Sequence, residues 1–117
     1  MTETTTINIE FEYLENLIYE YYKKELNDQN IDFRTVITSD DCNDYLHFVI
    51  TKKVKIGAYE GKKVYTIGVP EIKTILNQDL EESGYKIEYF DYEIVNNKVV
   101  NTKATVKQIG KVKQKTL

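Results

Sequence analysis

Two runs rich in β-branched and aromatic residues, YKIEYFDYEIV (85–95) and KVVNTKATVKQI (98–109), meet across Asn96-Asn97. Asparagine tolerates positive φ, and a two-residue hairpin loop needs it, so the pair predicts a tight antiparallel hairpin. Pairing Val95 with Lys98 sets Ile87 opposite Val106 and Tyr89 opposite Ala104, which gathers one apolar face. In that register Phe90 and Tyr92 point to the other face.

The rest of the chain is arranged around that hairpin. Phe11, Leu14, Ile18, Tyr22 and Leu26 recur at spacings of three and four, which predicts a helix over Glu10 to Leu26. Glu10, Glu12 and Glu15 near its start, with Lys23 and Lys24 near its end, suit the helix dipole. DFRTVIT (32–38), YLHFVITKKVKI (45–56) and KKVYTIGV (62–69) read as strands, with a turn at 58–61. In the second of these Leu46, Phe48, Ile50, Val54 and Ile56 share a parity that Lys52 interrupts. Val69-Pro70-Glu71 opens a second helix with Ile72, Ile75, Leu76 and Leu80 inward and Gly84 as its stop.

The expected order is α-β-β-β-α-β-β: an α+β single domain over 1–117, its antiparallel sheet packed on two helices. Residues 1–7 and 110–117 are expected to be flexible, although alternation at Ile7, Ile9 and Phe11 allows a short added strand. The first five elements resemble the double-stranded RNA-binding domain in order. That family carries a basic cluster where this second helix begins PEIKTIL with one lysine, so no activity is transferred.

At 117 residues the chain can bury roughly two-thirds of its unfolded surface, so no metal or disulfide staple is required. One cysteine forms no internal disulfide, which fits a reducing compartment or one where pairing is not needed. No run approaches a membrane span, and MTETTTINIEF lacks the basic head and apolar core of a secretory signal. A soluble cytoplasmic protein is expected. Fifteen of the sixteen cations are lysine, and Asn, Ile, Tyr and Lys abound, which hints at an AT-rich bacterial, viral or mobile-element genome.

SDDCNDYLH (39–47) gathers Asp40, Asp41, Asp44, Cys42 and the single histidine, His47. A calcium loop would want alternating oxygen ligands, a glycine at the bend and a closing glutamate. Zinc would want more soft or imidazole ligands than one Cys and one His. The stretch reads as a turn between strands, with no metal and no cofactor expected. Cys42 with His47 lacks an orienting third group for thiol catalysis. Acidic pairs such as Asp91 with Glu93, or Glu81 with Glu82, read as solvated edges rather than an acid–base couple. No GxSxG, HExxH or phosphate-cradling glycine loop occurs, so a non-enzymatic protein is expected.

Surface chemistry then has to carry the function. Residues 1–50 hold eleven acids against Lys23, Lys24 and Arg34, while 51–117 hold eight acids against thirteen lysines. Ten tyrosines concentrate partly on the first helix, in YLENLIYEYY (13–22). Glu12, Tyr13, Glu15, Tyr19 and Glu20 are the expected protein-binding residues, an acidic, tyrosine-bearing face for a basic partner. This suits a small inhibitor of the toxin-immunity or phage anti-defence kind, including one whose carboxylates mimic DNA phosphates. An alternative is a nucleic-acid accessory protein using Phe90, Tyr92, Lys103, Lys107, Lys111, Lys113 and Lys115. A third possibility is a self-associating assembly subunit, of which a homodimer is the simplest form.

Overall fold

The computed structural model describes residues 3–109. The elements are β1 (Thr4–Asn8), α1 (Phe11–Glu25), β2 (Asp32–Ser39), β3 (Asp44–Ile56), β4 (Tyr59–Ile67), α2 (Val69–Glu81), β5 (Tyr85–Val95) and β6 (Lys98–Gln108). The α+β class is as expected, with two antiparallel three-stranded sheets in place of one, ordered β1-β6-β5 and β2-β3-β4. The sixth strand is β1. In place of the flexible segment expected over residues 1–7, Thr4–Asn8 pair along β6, and the Ile9 N–H extends the ladder to the Thr102 carbonyl at 2.9 Å. That pairing gives β6, which would otherwise be an exposed edge, a neighbour on both sides. The expected flexible segment 110–117 lies outside the described residues.

One core joins both sheets to both helices. Leu14 and Ile18 from α1 meet Leu46, Phe48 and Ile50 from β3, Ile72, Ile75 and Leu76 from α2, and Ile87, Ala104 and Val106 from the β5–β6 hairpin. Phe48 sits at its centre, its ring 5.3 Å from that of Phe33 and 6.0 Å from that of Phe11. Alternation along β3 places Leu46, Phe48 and Ile50 on the buried side and leaves Tyr45, His47 and Val49 on the other. Lys52 continues the inward parity without being a defect. Its ammonium donates to the Leu26 carbonyl at 2.9 Å, so a cation closes the C-terminal end of α1 where the helix dipole is negative.

Two of the three hairpin loops are two residues long. Asn96 and Asn97 take φ of 52° and 61°, as the β5–β6 turn requires. The β3–β4 turn is Gly57-Ala58, with Ile56 facing Tyr59 and Gly57 at φ 64°, so β4 begins earlier than the expected turn at 58–61 allows. A glycine supplies that left-handed conformation without the Cβ clash that Tyr59 or Glu60 would meet.

The β5–β6 register agrees with expectation at both ends and departs from it in the middle. Val95 faces Lys98 and Ile87 faces Val106, but Tyr89 faces Thr105 and Phe90 faces Ala104. An extra residue at Glu88 on β5 and another near Asn101 on β6, at φ 51°, make two compensating bulges. Phe90 therefore turns inward, 7 % exposed, and Tyr89 outward, 65 % exposed. Two contacts from α2 hold the first bulge. The Ile87 N–H donates to Asn77 Oδ1 at 3.0 Å, and Lys73 Nζ donates to the Glu88 carbonyl at 3.1 Å. The swap also buries the ring that has no hydroxyl to satisfy.

Candidate functional site

The stretch 39–47 forms the connection between β2 and β3. Asp40 Oδ1 accepts from the Cys42 N–H at 3.0 Å and the Asn43 N–H at 2.8 Å, and the Asp40 N–H donates to the Asn43 carbonyl. Those backbone donors, Cys42 first, hold the Asp40 carboxyl below its ordinary 3.8. The Ser39 hydroxyl donates to Asp44 across the same loop. Asp40 and Asp44 thus serve the turn, Asp41 and Cys42 are exposed, and His47 stands in β3 opposite Val36. Among the described residues, no group of three or more His, Cys, Asp or Glu side chains could hold a metal ion.

The five expected protein-binding residues of α1 do not form one patch. Tyr13 is 51 % exposed and its hydroxyl donates to Asp79 Oδ2 of α2 at 2.7 Å. Glu15 turns to the other flank of the helix, where the Thr35 hydroxyl of β2 donates to it at 2.5 Å. Tyr19 packs its ring 5.5 Å from Phe33 and lies under the Lys23 ammonium, which pairs with Glu20 at 3.0 Å. Glu15 and Tyr19 thus tie α1 to β2, while Glu12, Tyr13 and Glu20 remain open to solvent.

Residues from the second helix complete the open side. A groove of about 420 Å³ between α1 and α2 is lined by Leu17, Glu20, Tyr21, Lys24, Ile75 and Gln78, with Asp79 and Glu82 on its α2 wall. Residues 10–28 and 69–82 together carry ten acids against Lys23, Lys24 and Lys73. Sequence reasoning misses Asp79 and Glu82. Glu82 has no signal there beyond a position at the margin of the Ile72, Ile75, Leu76 stripe, whereas Asp79 continues that spacing as the one acid in line with it.

The Tyr13 phenol is raised above its ordinary 10.0 by the hydrogen bond to Asp79, then by desolvation and the charge of that carboxylate. The folded state therefore holds this proton more tightly than the unfolded chain does. The contribution is complete below the unfolded value of 10.0 and is lost as pH rises through the higher folded value. Thermal melts across about pH 9 to 11 should fall less steeply for Tyr13→Phe than for the wild type. Identical slopes would mean that the Tyr13–Asp79 bond does not persist in solution.

The alternative nucleic-acid set is also redistributed. Phe90 is a core residue, so its expected role as an exposed stacking ring is corrected by the β5 bulge. Tyr92 is half-buried, and its hydroxyl accepts the Leu46 N–H at 3.1 Å, joining the two sheets. Lys103 and Lys107 stand on the outer face of β6, opposite Asp91 and Lys86, and the exposed aromatic between them is Tyr89. Lys111, Lys113 and Lys115 lie outside the described residues. Among the described residues, no helix is long and apolar enough to cross a membrane. Compared with protein-family models, curated proteins and solved structures, the chain matches none of them.

Proposed function

We propose that this is a small non-catalytic binding protein that presents the acidic outer side of its helix pair to a basic surface of another protein. The toxin-immunity or phage anti-defence kind of inhibitor is the class this reading favours. The observation that carries it is the Tyr13–Asp79 hydrogen bond, which fixes a half-exposed aromatic ring between two acidic helices. A tyrosine so held loses little rotamer freedom on docking, and the surrounding Glu12, Glu20 and Glu82 would steer a cationic partner and reject an anionic one. Glu15 is left out of the revised contact set, because its carboxylate is engaged with Thr35.

The triple variant Glu12→Lys/Glu20→Lys/Glu82→Lys reverses the field at three exposed positions. Lysine at 82, the C-cap of α2, suits the helix dipole, while lysine at 12 opposes the α1 dipole and lysine at 20 breaks the pair with Lys23, each at a cost of about 1 kcal/mol or less, so the fold is expected to survive. Tagged wild-type and variant chains would be compared by affinity capture from the native host's lysate, with washes of rising salt. A stoichiometric protein retained by the wild type, partly released by salt and bound at least about 10-fold more weakly by the variant is the expected result. Equal retention by both chains would exclude this surface.

A further inference from the structure

The β3–β4 hairpin continues past the core as an arm. Its inward side is buried as far as Ile50 and ends in Ile56, 69 % exposed, and Tyr59, 78 % exposed. Residues 51–64 hold five lysines against Glu60 alone. Two lysine pairs face each other directly across the ladder, Lys52 with Lys63 and Lys53 with Lys62. Like charges in directly opposed positions destabilise a hairpin, and lysine opposite glutamate would give the same solubility without that cost. Lys52 is occupied at the end of α1, but Lys53, Lys55, Lys62 and Lys63 make no ion pair among the described residues.

Lys53, Lys55 and Lys62 also share one face. Strand parity places them with Arg34 of β2 on the side of the sheet opposite Phe48 and Ile50, where none of the four is buried and the four cations outnumber the two acids of that face, Asp32 and Glu60. A concavity of about 760 Å³ runs along the arm, lined by Lys53, Val54, Lys55, Glu60, Gly61 and Lys62. A projecting two-stranded ribbon is an element that the major groove of a duplex can admit. Lysines, as flexible point charges, suit phosphates better than the bidentate reading of guanine that arginine performs.

We propose that the 51–64 arm binds the phosphate backbone of double-stranded DNA without sequence preference. The observation that carries it is the Lys53–Lys62 pair, set beside Lys55 and Arg34 on one open face: its mutual repulsion in the free protein is relieved when phosphates lie between the two ammonium groups. This site is separate from the acidic helix surface and stands whether or not that surface binds a protein.

The test is fluorescence anisotropy of the full chain on a labelled DNA duplex of mixed sequence, read from about 50 to 200 mM salt. The three lysines of that face, Lys53, Lys55 and Lys62, predict a log–log salt slope of about −2 to −3, roughly a 40-fold loss of affinity over that range. In Lys53→Gln/Lys55→Gln/Lys62→Gln/Lys63→Gln the affinity at low salt should fall at least about 10-fold and the slope should approach zero. The same variant should melt at or above the wild-type temperature, since repulsion has been removed, which separates lost binding from lost folding. Lys103→Gln/Lys107→Gln, on the other sheet, should keep the wild-type slope. The proposal is overturned by a wild type that leaves the duplex free at low salt, or by a quadruple variant that keeps affinity and slope. It is equally overturned by a chain that binds polyglutamate and not DNA, which would assign the arm to an acidic protein.

Discussion

Phe48→Ala is expected to lower the free energy of unfolding by about 3–5 kcal/mol, the range for removing a large aromatic side chain from a closed core. Phe48 is fully buried, sits between the rings of Phe11 and Phe33, and belongs to the central strand of its sheet, opposite Thr35 on one side and Ile67 on the other. Neighbours paired on both sides hold the backbone in place, so the surroundings can collapse only partly into the space left. Against a total stability of about 5–15 kcal/mol for a domain of this size, the loss would leave a chain on the edge of unfolding. Urea titration measures it. His47→Ala, one residue away on the opposite face, should change stability by about 0.5 kcal/mol or less. The contrast tests register as well as burial, because a slip of one residue would exchange the roles of Phe48 and His47. Equal costs for the two variants would contradict that strand alignment.

Tyr92→Phe is expected to cost about 1–3 kcal/mol although it removes one oxygen atom and keeps the ring. β4 pairs with β3 only as far as Ile67 opposite Phe48, and the chain turns into α2 two residues later. The Leu46 N–H, belonging to a residue buried in the core, is met instead by the Tyr92 hydroxyl of the other sheet. Phenylalanine would keep the tilted contact with Phe90 and leave that amide without an acceptor. Hydrogen exchange at Leu46 should accelerate in the variant by more than its global loss of stability explains. A variant with wild-type stability and unchanged exchange would mean that the sheets are held together by apolar packing alone.

These two sites differ in how far the sequence foretells them. Alternation around Phe48 is enough to mark it as a core residue, because a strand with one buried face has a fixed period of two. The same reasoning puts Tyr92 on an exposed face, and there it fails. A count outward from Asn96-Asn97 assumes an unbroken ladder, whereas two bulges shift the central pairs by one and cancel before Ile87. The groups that stabilise the first bulge, Asn77 and Lys73, come from α2, so no local pattern in β5 announces it. The α1 surface is legible in part for a similar reason. Helical spacing separates Glu12, Tyr13 and Glu20 from the Leu14–Ile18 stripe, but it does not reveal that Thr35 takes up Glu15 or that Asp79 meets Tyr13.

The sequence by itself determined the two amphipathic helices, the Asn96-Asn97 hairpin and the acidic and basic halves of the chain, because periodicity, turn chemistry and charge are local properties. Only the tertiary structure decided that the strands divide into two sheets, that Phe90 rather than Tyr89 is buried, and that Lys52 closes a helix while its neighbours project on an arm. Each of those outcomes depends on which distant backbone or side-chain group meets a strand, and such groups come together only when the chain has folded.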